Sequence, residues 1–197
     1  MKLHYQNAVK NTYNTVYPYS YREKNLSLKK YLIVRKIFIL VIILFTAQLS
    51  FSQADSAKPV YLRFPTIPQF TIYKASDSTK FTREDLQKNK STVFIMFSPD
   101  CEHCQHETEA LIKNIDKFKK AQIVMVEYLS FEQMVKFYKD YKIENYPNII
   151  MGRDAKFFLP IFFKVESLPA IYVYDKKGKF KKAFSGSVKM DKIAAEL

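Results

Sequence analysis

The sequence has few residues that bind metal ions. Its 197 residues include two cysteines and three histidines. The cysteines form one Cys-x-x-Cys pair, Cys101 and Cys104, and the histidines are His4, His103 and His106. A structural zinc site needs four ligands and usually a second cysteine pair, so we expect neither a metal ion nor a cofactor. No cysteine precedes Cys101, which excludes the acylated cysteine of a bacterial lipoprotein.

Positive charge is abundant but divided along the chain. The net charge is +13. Residues 1–52 contain eight Lys or Arg and one Glu, a net charge of +7, which leaves +6 for the rest of the chain. The lysines there alternate with acidic residues, as in the segment Lys113, Asp116, Lys117, Lys119 and Lys120. This pattern favours a solvated basic surface over a nucleic-acid partner.

The N-terminal part resembles a targeting segment. The apolar run at residues 37–45 follows Arg35 and Lys36 and precedes small residues near position 50, which predicts a secretory signal peptide. A bilayer span needs about 20 apolar residues, so an uncleaved inner-membrane anchor is the alternative. We expect a periplasmic or extracytoplasmic protein. Because residues 1–27 are unlike the start of a signal peptide, we also expect translation to begin near position 28.

The remaining chain predicts one α/β domain. We assign residues 1–52 to the extension and signal, 53–69 to a linker and 70–197 to the domain. Hydrophobic residues make up 48% of the chain, which is enough for a packed core. Strands are predicted at 70–73, 92–97, 122–127, 148–151, 170–174 and 180–184, and helices at 81–88, 102–119, 131–141, 155–163 and 188–196. This order indicates a mixed central sheet flanked by helices.

The cysteine pair lies where a buried strand meets a helix. The apolar run 92–97 ends just before Cys101, and one helix face carries Cys104, Thr108, Leu111, Ile115 and Phe118. A helix N-terminus favours the thiolate at Cys101, while Cys104 is shielded on the apolar face. A purely structural disulfide over so short a loop would add little stability. The pattern therefore favours redox chemistry, with Cys101 as nucleophile and Cys104 as resolving thiol.

Two segments resemble a known family. SPDCEHCQHE at residues 98–107 and LPAIYVYDKKG at residues 168–178 are similar to the active site and the cis-proline segment of TlpA/ResA-type thioredoxin-like redoxins. The resemblance implies a thioredoxin fold with one strand-helix insertion, residues 148–163, before the cis-proline. It implies that Pro169 is cis and faces the cysteines, and that Leu168 and Pro99 contact substrate. A trans proline at the start of an edge strand is the alternative for Pro169.

The sequence also departs from that family. Ile95 stands where thioredoxin has a buried carboxylate, so another group must transfer protons. Glu127, at a strand end, is one candidate, and a solvent-facing strand terminus is the alternative. His103 could favour the Cys101 thiolate, or it could be an exposed residue without influence. We expect His106 and Glu107 at the surface.

These observations predict an exported thiol-disulfide oxidoreductase. Its partners would be client protein thiols or disulfides and a membrane redox protein, and the direction of electron flow stays open. One alternative is a thiol peroxidase, because Ser98 lies three residues before Cys101, although Phe94 replaces the proline of peroxiredoxins. Another is a thioredoxin-fold module without catalysis that binds copper through thiolates, or a protein.

Overall fold

The computed structural model of the chain describes residues 28–42 and 58–197. The chain divides into two compact units at the boundary between Ala57 and Lys58. Residues 28–42 are an exposed helix within the expected signal region, and the rest of that region lies outside the described residues. Within the described ranges, the helices are too short or too polar to cross a membrane.

A mixed seven-stranded sheet forms the centre of residues 58–197. The strands are β1 (Thr71–Lys74), β2 (Lys80–Thr82), β3 (Ser91–Met96), β4 (Ala121–Glu127), β5 (Ile149–Arg153), β6 (Ala170–Tyr174) and β7 (Phe180–Ser185). Their order is β2-β1-β5-β4-β3-β6-β7. Strands β3, β4 and β5 are parallel, and the other neighbouring pairs are antiparallel. The predicted mixed sheet is confirmed.

Helices cover both faces of this sheet. They are α1 (Val60–Arg63), α2 (Glu102–Lys113), α3 (Phe131–Asp140), α4 (Phe158–Phe163) and α5 (Met190–Ala194). Alternate residues of β3 point to opposite faces. Val93 and Ile95 join a core with residues of α2, α3 and α5, whereas Phe94 and Met96 join a second core with residues of α4. Both cores therefore meet at β3, the strand that leads to the cysteines.

The linker predicted over residues 53–69 is wrong for its second half. The Tyr61 ring lies 5.3 Å from the Tyr172 ring and 5.1 Å from the Phe180 ring. Ile67 is only 8% exposed, and its N–H donates to the Gly178 carbonyl at 3.0 Å. Residues 60–67 belong to the domain because their apolar side chains complete the second core. Residues 53–57 lie outside the described part.

Three predicted helices are shorter or different in the structure because of local hydrogen bonds, and a fourth, predicted over residues 188–196, spans only Met190–Ala194. The segment 81–88 contains the end of β2 and one 3₁₀ turn, Arg83–Asp85, in which Asp85 accepts the Thr82 N–H at 2.8 Å. The helix that begins at Glu102 ends at Lys113, where Asn114 binds the Ala110 carbonyl through its side chain. The helix predicted over residues 155–163 begins at Phe158 rather than at residue 155. In each of these three segments local side-chain hydrogen bonds to the backbone replace the helical pattern.

Candidate active site

The dithiol sits at the N-terminus of α2, at the carboxyl end of β3. Cys101 is the N-cap of this helix, and its Sγ accepts the Cys104 N–H at 3.3 Å. The side chain of Cys101 is half-buried, whereas Cys104 is only 1% exposed. Both thiols are free, and their sulfur atoms lie 2.6 Å apart. A partner molecule can therefore reach Cys101, and Cys104 can reach Cys101 from within the fold.

The two thiols lie in different electrostatic surroundings. Burial, followed by the contact with Cys101, raises the pKa of the Cys104 thiol to about 12, and the nearby Glu107 carboxylate contributes. Cys101 Sγ instead accepts the Cys104 N–H at the N-terminus of α2, the positive end of the helix dipole. At neutral pH Cys104 is a thiol, so its attack on another sulfur needs a group that accepts its proton.

Glu107 is buried beside Cys104, one helical turn further along α2. It is 4% exposed, and its Oε2 accepts the Val188 N–H at 3.2 Å. Its Oε1 is buried and has no hydrogen-bond partner within the described residues. Burial raises the pKa of this carboxyl, and the Val188 hydrogen bond only partly opposes the shift. A buried carboxyl with a free oxygen next to a buried thiol is suited to proton transfer.

The expectation that Glu107 lies at the surface is therefore wrong. The residue sits three positions after Cys104, on the same helix face as Cys104, Thr108 and Leu111, all of which are buried. The sequence shows by its spacing that Glu107 shares this apolar face. Carboxylate side chains are seldom fully buried, which is why an exposed position was expected. By contrast, the His106 side chain is 65% exposed between the carboxylates of Glu102 and Glu109.

The loop before β6 faces the dithiol. The Leu168–Pro169 peptide bond is cis, as the family resemblance implies. The Leu168 carbonyl oxygen lies 4.0 Å from Cys101 Sγ, and the Leu168 side chain is half-buried between the two cores. The structure thus brings together Cys101, Cys104 and the Leu168–Pro169 loop.

His103 and Pro99 contribute less to this constellation. The His103 side chain is exposed in the first turn of α2, and within residues 58–197 it has no hydrogen-bond or ion-pair partner. Its influence on Cys101 stays a prediction. Pro99 is buried, and its carbonyl accepts the Gln105 side-chain amide at 2.8 Å, which fixes the loop before Cys101. Its contact with substrate also stays a prediction.

Glu127 is buried rather than solvent-facing. It is fully buried at the end of β4, where its Oε1 accepts the backbone N–H groups of Leu129 and Ser130. It pairs in register with Arg153 of β5. Burial raises the pKa of Glu127, and the hydrogen bonds from Ser130 and Leu129 oppose that shift. The alternative that Glu127 faces solvent is wrong. Glu127 lies at the end of β4, and its carboxylate primarily holds the turn that follows this strand.

No cluster of three or more His, Cys, Asp or Glu that could hold a metal ion occurs within residues 28–42 and 58–197.

Several solved structures share this fold. One is a secreted disulfide oxidoreductase of Mycobacterium tuberculosis homologous to E. coli DsbE, 20% identical with a TM-score of 0.55, covering 65% of this chain and 93% of that one. Another is the peroxidoxin BcpB of Mycobacterium tuberculosis, 17% identical with a TM-score of 0.57, covering 66% and 92%. A third is a peroxiredoxin-like protein of Aquifex aeolicus, 15% identical with a TM-score of 0.52, covering 66% and 82%.

These likenesses confirm the predicted thioredoxin-like fold. Among curated protein sequences, none matches this chain. A model of the AhpC/TSA family matches residues 65–189, which include β1 to β7, the dithiol and the cis-proline loop. Since this match spans more than half of the chain, the protein belongs to the AhpC/TSA family of redoxins.

Proposed function

We propose that the protein is a thiol-disulfide oxidoreductase of the TlpA/ResA type that exchanges disulfides with client proteins. The observation that carries the proposal is the asymmetric dithiol. Half-buried Cys101 caps α2, Cys104 lies buried behind it, and the cis-proline loop borders Cys101 at 4.0 Å. A nucleophile open to macromolecules with a shielded second thiol is what a two-step exchange requires.

The exchange balances in two steps. The Cys101 thiolate attacks a sulfur of the client disulfide, which forms a mixed disulfide and releases one client thiolate. Cys104 then loses its proton and attacks the Cys101 sulfur, which forms the Cys101–Cys104 disulfide and releases the second client thiolate. The client gains two electrons and the protein loses two. The same steps in reverse oxidise a client dithiol.

Glu107 is the proton acceptor for the second step in this proposal. While Cys101 is free, its contact with Cys104 helps to keep the Cys104 pKa high. Formation of the mixed disulfide removes the charge on Cys101, so Cys104 gives up its proton more easily at that stage. The unpaired Oε1 of Glu107 lies on the same buried helix face and can take this proton.

The cellular setting is part of the same proposal. The apolar run at residues 37–45 supports export across a membrane, with the signal either cleaved or retained as an anchor. A dithiol outside the cytoplasm needs a supply of electrons to stay reduced, which favours a membrane redox partner. An extended client segment would lie beside the Leu168 backbone.

A peroxidase is the second candidate. Membership of the AhpC/TSA family favours it, as does the hydroxyl of Ser98 three residues before Cys101. Against it, the fully buried Phe94 occupies the position of the proline found in peroxiredoxins.

One experiment separates the candidates. The reduced full-length protein is mixed with equal concentrations of a peptide disulfide or hydrogen peroxide, and the loss of the protein's own two thiols is followed by stopped flow and mass spectrometry. We expect the disulfide to react at least about tenfold faster and to pass through a protein-peptide adduct on Cys101. Faster reaction with peroxide would establish a peroxidase. If neither the disulfide nor the peroxide oxidises the protein's thiols, and the dithiol binds Cu(I), the protein would be a binding module.

A further inference from the structure

Three exposed or half-exposed apolar side chains lie in the turns after β4 and β5, at the edge of the sheet where β3 leads to the dithiol. Leu129 is 60% exposed and Phe157 is 43% exposed. The half-buried Tyr128 ring meets the Phe157 ring edge-on, with centroids 5.0 Å apart. We call Tyr128, Leu129 and Phe157 the apolar patch. Its members come from two loops, one after β4 and one after β5.

The patch and the cysteines lie at the same edge of the sheet because β3, β4 and β5 are parallel. Met96 of β3 pairs with Val126 of β4, so the chain continues toward Cys101 and toward Tyr128 side by side. The Gln133 side chain donates to the Asp100 carboxylate at 2.8 Å. This hydrogen bond joins the first turn of α3, which follows the turn after β4, to the residue before Cys101. Burial raises the pKa of Tyr128, and electrostatic interactions with the nearby Cys104, Glu127 and Cys101 add to this increase.

Two buried carboxylates hold the loops that carry the patch. Glu127 binds the N–H groups of the turn that presents Leu129. Asp154, 1% exposed, accepts the Lys156 N–H at 3.1 Å and the Leu159 N–H at 2.6 Å, and so fixes the turn that presents Phe157. The Asp154 N–H donates to the Glu127 carbonyl at 2.8 Å, which ties the turns together. Burying a carboxylate costs free energy unless it is hydrogen-bonded, and here the hydrogen bonds of both carboxylates hold the two turns that carry the apolar patch.

Phe157 is an unusual residue for its backbone position. Its φ is +56°, in the left-handed region that favours Gly and Asn over a bulky aromatic residue. As the residue before α4, it could be Asn at a lower steric cost. The ring is also too exposed to serve the core. Helix capping does not account for an aromatic side chain here, and its ring contact is with Tyr128, another member of the patch.

We propose that the apolar patch binds an apolar side chain of the client polypeptide next to its cysteine, so that the protein prefers disulfides in apolar sequence. This inference rests on the proposed exchange reaction. That reaction brings a client chain to Cys101 in every turnover, and the patch lies at the same edge of the sheet as Cys101, which assigns the patch to the client. The preorganised turns let the client side chain bind without ordering the loops first.

The test uses a matched pair of substitutions at the two ends of α4. Phe157→Asn removes the ring and keeps a residue that tolerates the left-handed backbone. Lys164→Asn is the control, because Lys164 also has a positive φ, +51°, and its exposed side chain reaches only Glu166. The substrates are two glutathionylated peptides that differ in one position beside the cysteine, Leu or Ser. The readout is the ratio of their rate constants with the full-length protein.

We expect the wild type and Lys164→Asn to favour the Leu peptide by about tenfold, the scale of one apolar contact. Phe157→Asn should lower this ratio to about twofold. An unchanged ratio in Phe157→Asn, or no preference in the wild type, would overturn the inference while leaving the exchange reaction intact. Absence of reaction with both peptides would instead refute the proposed function. A dimer in sedimentation that Phe157→Asn dissociates, with an unchanged ratio, would assign the patch to a second copy of the chain.

Discussion

Replacing Cys101 by Ser is expected to slow disulfide reduction by at least about 10³-fold, because the attacking thiolate is lost and the buried Cys104 cannot meet a protein disulfide. Cys104→Ser should behave differently. Its Cys101 still attacks the client, but the mixed disulfide accumulates because no second thiol resolves it. Stopped-flow kinetics of a labelled peptide disulfide measure both steps.

The control for this pair is His106→Gln, on the exposed side of the same helix. It should react at the wild-type rate. If Cys101→Ser retains activity while Cys104→Ser is inactive, the assigned roles of the two cysteines are reversed. If neither substitution matters, the dithiol is not the reactive group.

Replacing Glu107 by Gln is expected to slow resolution of the mixed disulfide by about 10²-fold, the usual contribution of a general base. The first step should be much less affected, because Cys101 does not depend on this proton transfer. Rapid acid quench and mass spectrometry of the mixed disulfide separate the two steps. Glu109→Gln, with its carboxylate on the exposed face of α2, is the matched control. Equal slowing by both variants would contradict the role of Glu107.

The Glu107→Gln substitution, which should slow resolution of the mixed disulfide, is expected to stabilise the folded protein at pH 7. Burial raises the pKa of Glu107 above its ordinary value of 4.5, so folding favours the protonated carboxyl. Its contribution to the free energy of unfolding is fully present below pH 4.5 and is lost as pH rises through the higher folded-state pKa. Glu107→Gln lacks this loss, so it should require more urea to unfold than the wild type at pH 7. The difference should shrink in acid, and a difference that grows in acid would contradict this reasoning.

The parts of the structure that sequence predicted well are those set by local patterns. The largely apolar, β-branched and aromatic run at residues 92–97 predicts a buried strand, which the structure has at Ser91–Met96, and it leads to Cys101 at the start of a helix whose apolar face is readable from its spacing. The hairpin follows from the apolar strand β6, the half-exposed strand β7 and a turn between them in which Gly178 has a φ of +73°. These features place the dithiol and the loop opposite it.

The parts that were missed depend on contacts between distant segments. Residue 107 is buried because the segment around Val188 covers it, and nothing in the helix pattern shows that cover. Likewise, the turns after β4 and β5 follow from buried carboxylates at Glu127 and Asp154, which in sequence look like solvated loop residues. Such sites are exceptions to the rule that carboxylates are exposed, and functional regions are where these exceptions occur.

The most direct test of the redox assignment is a titration of the Cys101–Cys104 pair in glutathione or dithiothreitol buffers, with oxidised and reduced forms quantified by mass spectrometry. We expect one reversible two-electron transition between about −300 and −120 mV, the range of exchange-active dithiols. A value near −270 mV would favour a reductant, and one near −120 mV an oxidant of client thiols. A catalytic role for these cysteines would be contradicted if they form no disulfide. It would also be contradicted if the reduction potential of their disulfide lies below about −300 mV, as it does for structural disulfides.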